Sequence, residues 1–417
     1  MNRTQRNPST PRVLLVGYNG ANNTGAEALL LSDIEDVRAV FGPGVSITVP
    51  TMNPANLRRY LPEGPGLSIV PMSPVFIRPV RRLVAEHDLV MLVEGSTYMD
   101  TWTTALLWCF LWATWCATSR GTACLAYAVD AGELSRLNRW LVRRVAGTTD
   151  QIIVRSEAAA RRLRSWGVGA PLEFTADNAF NFAPRPADID LLNRVWPDRP
   201  PCVVGIAPVD FTLWPVVARL WGRKQYCYRW PYYFSHSRER TDAAQGFAQT
   251  LAAFADWVME HHDAGVAMLC MEQLDEPLAQ RIHDLLRRRE RAMVFSSREF
   301  DASQMTSVLR SLDYLITSRF HASVLSLEAA VPQIAVGHDL RLRTLYTDFG
   351  IVDELFLDAH EADLELLKER FALLRKKGDF LRRRLAEGHA DHSRRAAKNR
   401  FLLAEFARSR GWKVASA

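Results

Sequence analysis

Short apolar runs alternate with helical stretches along most of this chain, and no other feature narrows its fold as much. RVLLVG (12–17) and VSITVP (45–50) bracket a helical pattern from Glu27 to Phe41, which makes a βαβ unit. DLVMLVEG (88–95), TACLAYAV (122–129) and QIIVRS (151–156) follow, with helical stretches such as Glu133 to Val145 and Glu157 to Trp166 between them. Runs that are apolar throughout suit strands covered on both faces, as in parallel sheets. A stretch rich in Pro and Asp (184–201) interrupts the series, and PCVVGIAP (201–208) restarts it. A long helix near Thr241 to His262 comes next, then VAMLCME (266–272), AMVFSS (292–297), YLITS (314–318) and QIAVGHD (333–339), again with helical stretches between. From about Glu361 onward only the helical pattern remains. We therefore expect an α/β protein of two doubly wound, Rossmann-like domains facing a cleft, residues 1–190 and 200–360, followed by a basic helical segment, 361–417. Ligands are expected at the carboxyl ends of the strands, in the crevice of such sheets.

Composition removes the competing classes. Of 417 residues, 48% are hydrophobic and 24% charged, a globular balance that excludes disordered and fibrous chains. The formal charge of +6 is mild and suits an anionic small molecule as well as nucleic acid; no nucleic-acid module is recognisable, so nucleic acid is not the expected partner. The cysteines at 109, 116, 124, 202, 227 and 270 form no C-x-x-C pair, and no H-E-x-x-H occurs. Zinc-ribbon and zincin readings fail, no metal is expected, and the thiols read as reduced and mostly buried. Thr101 to Ser119 carries no charge and is nearly long enough to span a bilayer. It is Thr- and Trp-rich and lies between two strand-like runs, so we read it as a buried crossover helix. The polar start, MNRTQRNPSTPR, leads into the first strand without an apolar signal segment, and the cytoplasm is the expected location.

Four constellations could carry chemistry. In GYNGANNTGAEALL (17–30) the glycines permit close backbone approach, and Thr24 with Glu27 has capping-box spacing, so a helix should start there and offer unpaired N–H groups to an anion. A purely structural turn explains the same residues. Glu94-Gly95-Ser96-Thr97 ends a strand ahead of the apolar helix and either lines a cleft or caps that helix. Arg155 emerges from the strand IIV, placed to fork onto a carboxylate or phosphate or to pair with Glu157. Asp177, at another strand end, could orient Arg155 or make an Asx-turn. Densest is 317–350, where one strand delivers Ser318, Arg319 and His321 to a helix N-terminus and the next delivers His338, Asp339 and Arg341. Two guanidiniums and an imidazole converging on a helix start make an anion site.

At these residues the chain resembles the polysaccharide pyruvyl transferase family, over most of its length to about Leu357. The resemblance rests on Asn23 to Glu27, Gly95-Ser96, VRSEAAARRLRSWGV (154–168), TADNAF (175–180) and above all SRFHASVLSLEAAVPQIAVGHD (318–339). It implies a GT-B-like pair of α/β domains and transfer of the carboxyvinyl unit of phosphoenolpyruvate onto sugar hydroxyls of a glycan, giving a pyruvate ketal. It also implies no cofactor beyond phosphoenolpyruvate as co-substrate. Carried over residue by residue, His321, Arg155 and Arg341 are the catalytic positions, the last standing where the family commonly has lysine. Arg319, Ser318, Asn23, Gly25, Glu27, Gly95, Ser96, Asp177 and His338 are the accompanying substrate-binding candidates. The chain departs from the family at Ala26, at Val93-Glu94 and at Leu340-Arg341. The competing expectation is a nucleotide-sugar glycosyltransferase of the same architecture, its Arg319, His321 and Arg341 holding a diphosphate. The partners expected are phosphoenolpyruvate and a saccharide acceptor, lipid-linked if the basic clusters Lys376-Lys377, Arg382 to Arg384 and Arg394-Arg395 touch an anionic membrane surface rather than form a solvated helix face.

Overall fold

The computed structural model describes residues 9–100, 103–210, 216–226, 228–235 and 237–415. Seven parallel strands form the first sheet: β1 (Arg12–Val16), β2 (Ser46–Thr51), β3 (Leu67–Pro71), β4 (Leu89–Leu92), β5 (Ala123–Val129), β6 (Gln151–Val154) and β7 (Leu172–Phe174). Their order is β3-β2-β1-β4-β5-β6-β7. The order reverses between β1 and β4, and at such a switch point the loops leaving the carboxyl ends part to make a crevice. After β8 (Cys202–Ala207) comes a small antiparallel hairpin, β9 (Val216–Ala218) and β10 (Tyr232–Phe234). The second sheet continues with β11 (Ala264–Cys270), β12 (Ala292–Ser296), β13 (Tyr314–Thr317), β14 (Gln333–Val336) and β15 (Phe356–Leu357). It is parallel throughout, in the order β12-β11-β8-β13-β14-β15. The protein is thus an α/β molecule of two Rossmann-like lobes in a GT-B-like arrangement, with a helical C-terminal region.

Burial explains why the strands read as continuous apolar runs. Every residue of β4, β5 and β11 is buried, because helices cover both faces of each sheet. The uncharged stretch is the helix Thr104–Thr118, whose Leu107, Phe110 and Ala113 enter the core of the first lobe. It is a crossover helix, but only its inner side is buried, with Trp108 and Trp115 close to half exposed; Thr101 and Trp102 lie outside the described residues. No helix among the described residues is long and apolar enough to cross a membrane. The described cysteines, Cys109, Cys116, Cys124, Cys202 and Cys270, are free thiols, and all but Cys202 are buried; Cys227 lies outside the described residues.

The lobes are joined by more than a linker. One core cluster contains Ala28 and Leu29 of the opening helix (Thr24–Phe41) together with Phe180, Leu192 and most of the second sheet. The last helix (Gly378–Ser409) packs Leu381 and Leu385 into that cluster, then runs back to place Leu403, Phe406 and Ala407 in the core of the first lobe. At the mouth between the lobes, Thr24 N–H donates to the Met271 carbonyl (2.8 Å) and Gln273 N–H to the Asn22 carbonyl (3.0 Å).

Candidate active site

That stitching changes what the opening helix can offer. Asn23 is its cap, accepting from the Ala26 N–H at 3.1 Å, and Thr24 is the first helical residue rather than the cap. The helix end abuts the loop after β11, so the Thr24 donor meets a carbonyl there and is not presented to an anion. Glu27 completes no capping box. Its carboxylate is buried, accepts from the Ala302 N–H at 3.1 Å and lies 3.6 Å from the Arg59 guanidinium. A residue expected to touch substrate instead ties the two lobes together.

Arg155 leaves the carboxyl end of β6 and is almost wholly buried. Its Nε donates to Asp130 Oδ2 at 3.0 Å and its Nη1 to Asp177 Oδ2. Asp130 reaches it because β5 carries a register shift between Ala126 and Val129, with Ala128 in the left-handed region (φ 51°), which turns the strand end toward β6. Burial alone pushes the Asp177 carboxyl up, and Arg155 and His321 beside it more than reverse this, so it sits below its ordinary range. Arg155 is likewise held above its ordinary value: burial opposes its charge, and Asp177 and Asp130 outweigh that.

His321 comes from the second lobe, one residue into the helix Phe320–Ser326 that follows β13. Its Nε2 lies 3.6 Å from Asp177 Oδ2, so Asp177 stands between imidazole and guanidinium. Two glycines make room for the pair. A Cβ on Gly25 would overlap the His321 ring, and a Cβ on Gly95 would overlap the Arg155 guanidinium. Phe320 supplies an aromatic ring to both cations, with Arg155 Cζ at 5.0 Å and Arg341 Cζ at 5.5 Å from its centroid. Arg341 itself is paired with Asp339 (Nε to Oδ1, 2.9 Å).

The remaining candidates lie around this group. Arg319 donates to Asp275 Oδ2 (2.9 Å) and contacts Glu272 (3.0 Å). Burial pushes Asp275 up to about 6 and raises Glu272 as well, although Arg319 pulls both down. Ser318 is buried, its N–H bonded to the Ala207 carbonyl at 2.8 Å. Ser96 gives its N–H and Oγ to Glu94 Oε1 (3.3 and 3.1 Å), while Glu94 Oε2 accepts from Tyr18 N–H (3.2 Å). His338 turns to Asp358 (3.2 Å) and His360 rather than to Arg155. The ligand atoms of those three lie within 4.8 Å of one another and could hold a divalent ion. The segment between β9 and β10 reaches the first lobe through a contact between the Tyr228 and Tyr18 hydroxyls at 2.9 Å.

So the structure gathers Arg155, His321, Asp177 and Arg341 around Phe320, backed by Gly25 and Gly95. Each guanidinium already faces a protein carboxylate, so the site is less cationic than its arginines suggest. Two nitrogens nonetheless lack a hydrogen bond: Arg155 Nη2 makes none, and His321 Nε2 stands 3.6 Å from Asp177 Oδ2, beyond bonding distance, and such buried groups in a folded protein call for a ligand or water. Asp130, Glu272, Asp275 and Phe320 escape the sequence reading. The three acids stand just past strand ends, in AVD and MEQLD, and that placement was the available signal.

A family model described as polysaccharide pyruvyl transferase matches residues 23–339, more than half of the chain. The chain belongs to the polysaccharide pyruvyl transferase family. It is accordingly a phosphoenolpyruvate-dependent transferase that forms a pyruvate ketal on a polysaccharide. No curated protein matches it in sequence. Among solved structures, the transferase is similar to S. aureus MnaA with UDP (TM-score 0.64, 10% identity, 96% of this chain and 97% of that one). It is also similar to the UDP-GlcNAc 2-epimerase of Neisseria meningitidis bound to UDP-GlcNAc (0.61, 9%, 95% and 100%) and to HepE of Anabaena with UDP-glucose (0.58, 13%, 96% and 100%). At such identities these likenesses show the fold alone.

Proposed function

We propose that Arg155, His321 and Arg341 form the phosphoenolpyruvate site of this transferase. The observation that carries the reading is the pair of buried nitrogens left without a hydrogen bond, Arg155 Nη2 and His321 Nε2, on either side of Asp177. A phosphate or carboxylate oxygen between them would satisfy both, and charge-assisted bonds of this kind are the strong ones. Asp130 and Asp177 then act as positioning residues that fix the guanidinium before substrate arrives.

The chemistry follows from the substrate. Protonation of the methylene carbon makes C2 electrophilic, and a sugar hydroxyl adds to it with loss of its proton. The C2–O bond to phosphate breaks, phosphate leaves with the electron pair, and the neighbouring hydroxyl closes the ketal. Arg155 and Arg341 stabilise the charge that gathers on the departing phosphate. His321 is the proton donor or a phosphate ligand, since an imidazole offers ring nitrogens that can donate or accept a proton. Gly95, Ser96 and the loop 17–23 face the acceptor in this reading, and the hairpin loop that reaches Tyr18 narrows the cleft.

The finer reading is a cytoplasmic enzyme meeting a lipid-linked saccharide at the inner face of a membrane. The C-terminal basic clusters give it little support, because many of their cations are engaged within the chain. Lys377 pairs with Glu354 (2.7 Å), Arg384 Nε bonds the Phe349 carbonyl (2.9 Å) and Arg395 meets Asp391 (3.0 Å).

Titration calorimetry with phosphoenolpyruvate, and separately with nucleotide sugars, tests the site. Phosphoenolpyruvate should bind the wild-type chain and lose affinity in both His321→Ala and Arg155→Ala. Undiminished binding in both variants would remove the assignment, and binding of nucleotide sugars alone would favour the glycosyltransferase.

A further inference from the structure

We propose that one face of the first lobe, with the β9–β10 hairpin beside it, docks on an anionic lipid surface. Three neighbouring helices make this face: Ile77–Glu86, Thr104–Thr118 and Arg136–Val145. Their inner sides fill the core of the lobe, but their outer sides are not polar. Trp108 is 44% exposed, Trp115 49%, Trp140 53% and Leu137 60%, with Val75 and Ile77 close to half exposed. Among the described residues every exposed tryptophan lies on these helices or on the hairpin, whose Trp221 and Trp230 are open to solvent. The segment between the two hairpin strands touches the first lobe, where the Tyr228 and Tyr18 hydroxyls meet at 2.9 Å.

Exposed tryptophan at this density marks an interaction surface, and the accompanying charges say which kind. The outer helices contribute Arg78, Arg81 and Arg82 on one side and Arg136, Arg143 and Arg144 on the other. Their one acid is Glu86, already paired with Arg82 at 2.9 Å, and the central helix carries no charge. Indole rings flanked by arginines suit the headgroup level of a bilayer, where ring bodies enter the acyl boundary and guanidiniums meet phosphates. Between the far ends of the central and last of these helices an open groove of about 610 Å³, of a size for a headgroup, is lined by Trp115, Thr118 and Arg144, with Arg410 paired there to Asp150.

Topology gives the face a use. Each helix runs back along the sheet from the carboxyl end of the preceding strand, so Ile77, Trp108 and Leu137, all in or near first turns, lie toward the edge where Arg155 and Gly95 stand. A membrane under that edge would present the head of a lipid-borne acceptor to the cleft. The docking itself does not depend on the assignment of the phosphoenolpyruvate site, and binding to vesicles is read without any turnover.

Flotation of the full chain with vesicles of phosphatidylcholine, with and without phosphatidylglycerol, decides it. The chain should float only with the anionic vesicles. Trp108→Ser/Trp140→Ser and, separately, Arg143→Glu/Arg144→Glu should each weaken binding about tenfold or more, while Lys376→Glu/Arg383→Glu in the C-terminal segment should not. All substituted side chains are exposed or partly so, and circular dichroism checks that each variant is folded; the arginine variant keeps the test alive if the tryptophan one is not. No flotation, equal flotation of all variants, or loss confined to the C-terminal variant would overturn the proposal. So would a wild-type dimer in light scattering that the tryptophan variant abolishes without any vesicle binding, which would make the face a contact between copies.

Discussion

Gly25 and Gly95 are where a single methyl group does most harm. Each lies flat against a side chain delivered by another part of the fold, His321 across the lobes and Arg155 from β6. Gly95→Ala and Gly25→Ala should therefore displace one donor each and lower turnover about a hundredfold, the usual cost of misplacing a reacting group by an ångström. Gly169→Ala, where an added Cβ meets nothing within 4 Å, is the control and should keep wild-type kinetics. Equal kinetics in all three would mean that neither donor needs its place. Arg155 and His321 are legible in the sequence because each stands where a strand ends and a helix begins, a position the parallel fold turns toward the crevice. Asp130 also follows a strand, but its pairing with Arg155 is not legible, because it depends on the bulge at Ala128. Arg319 and His338 were legible as strand-end residues, but their acidic neighbours Glu272, Asp275 and Asp358 come from other loops.

Among the elements, the helix Ala302–Arg310 has an unusual start. Asp301 and Gln304 form a complete capping box there, and Glu27 of the opening helix adds a second carboxylate at the Ala302 N–H. Burial pushes Glu27 up to about 8, although Arg59 pulls it down. A carboxyl whose folded value lies above its unfolded one contributes stability at low pH and loses it as pH rises toward 8. The chain should therefore lose on the order of 2 kcal/mol of stability from this group between pH 6 and 9. Glu27→Gln should flatten that dependence, which denaturant melts at the two pH values would show; parallel curves for variant and wild type would sink the account. No sequence pattern announces this contact, since the partners are 275 residues apart. The repeating strands and helices were readable to within a few residues. The edge strands β3 and β7 and the hairpin were not, being short and only partly buried, so that they lack the apolar run that betrays a central strand.

At the scale of the molecule, the last helix is a brace that touches both cores. Beyond its end Trp412 packs edge-on against Phe41 (6.0 Å) and near Phe406 (6.3 Å), and Lys413 N–H bonds the Ser9 carbonyl at 2.7 Å. Trp412→Ala should cost about 3 kcal/mol, as for other buried aromatic truncations. Limited proteolysis should then cut the first lobe before the second; if both lobes are cut alike, the helix is not a brace. The same arrangement orders events in time. During synthesis the first lobe emerges long before residues 403–412, which complete its core, so it waits partly open while the second lobe is made. This transferase can therefore finish its first half only after residues 403–412 have left the ribosome.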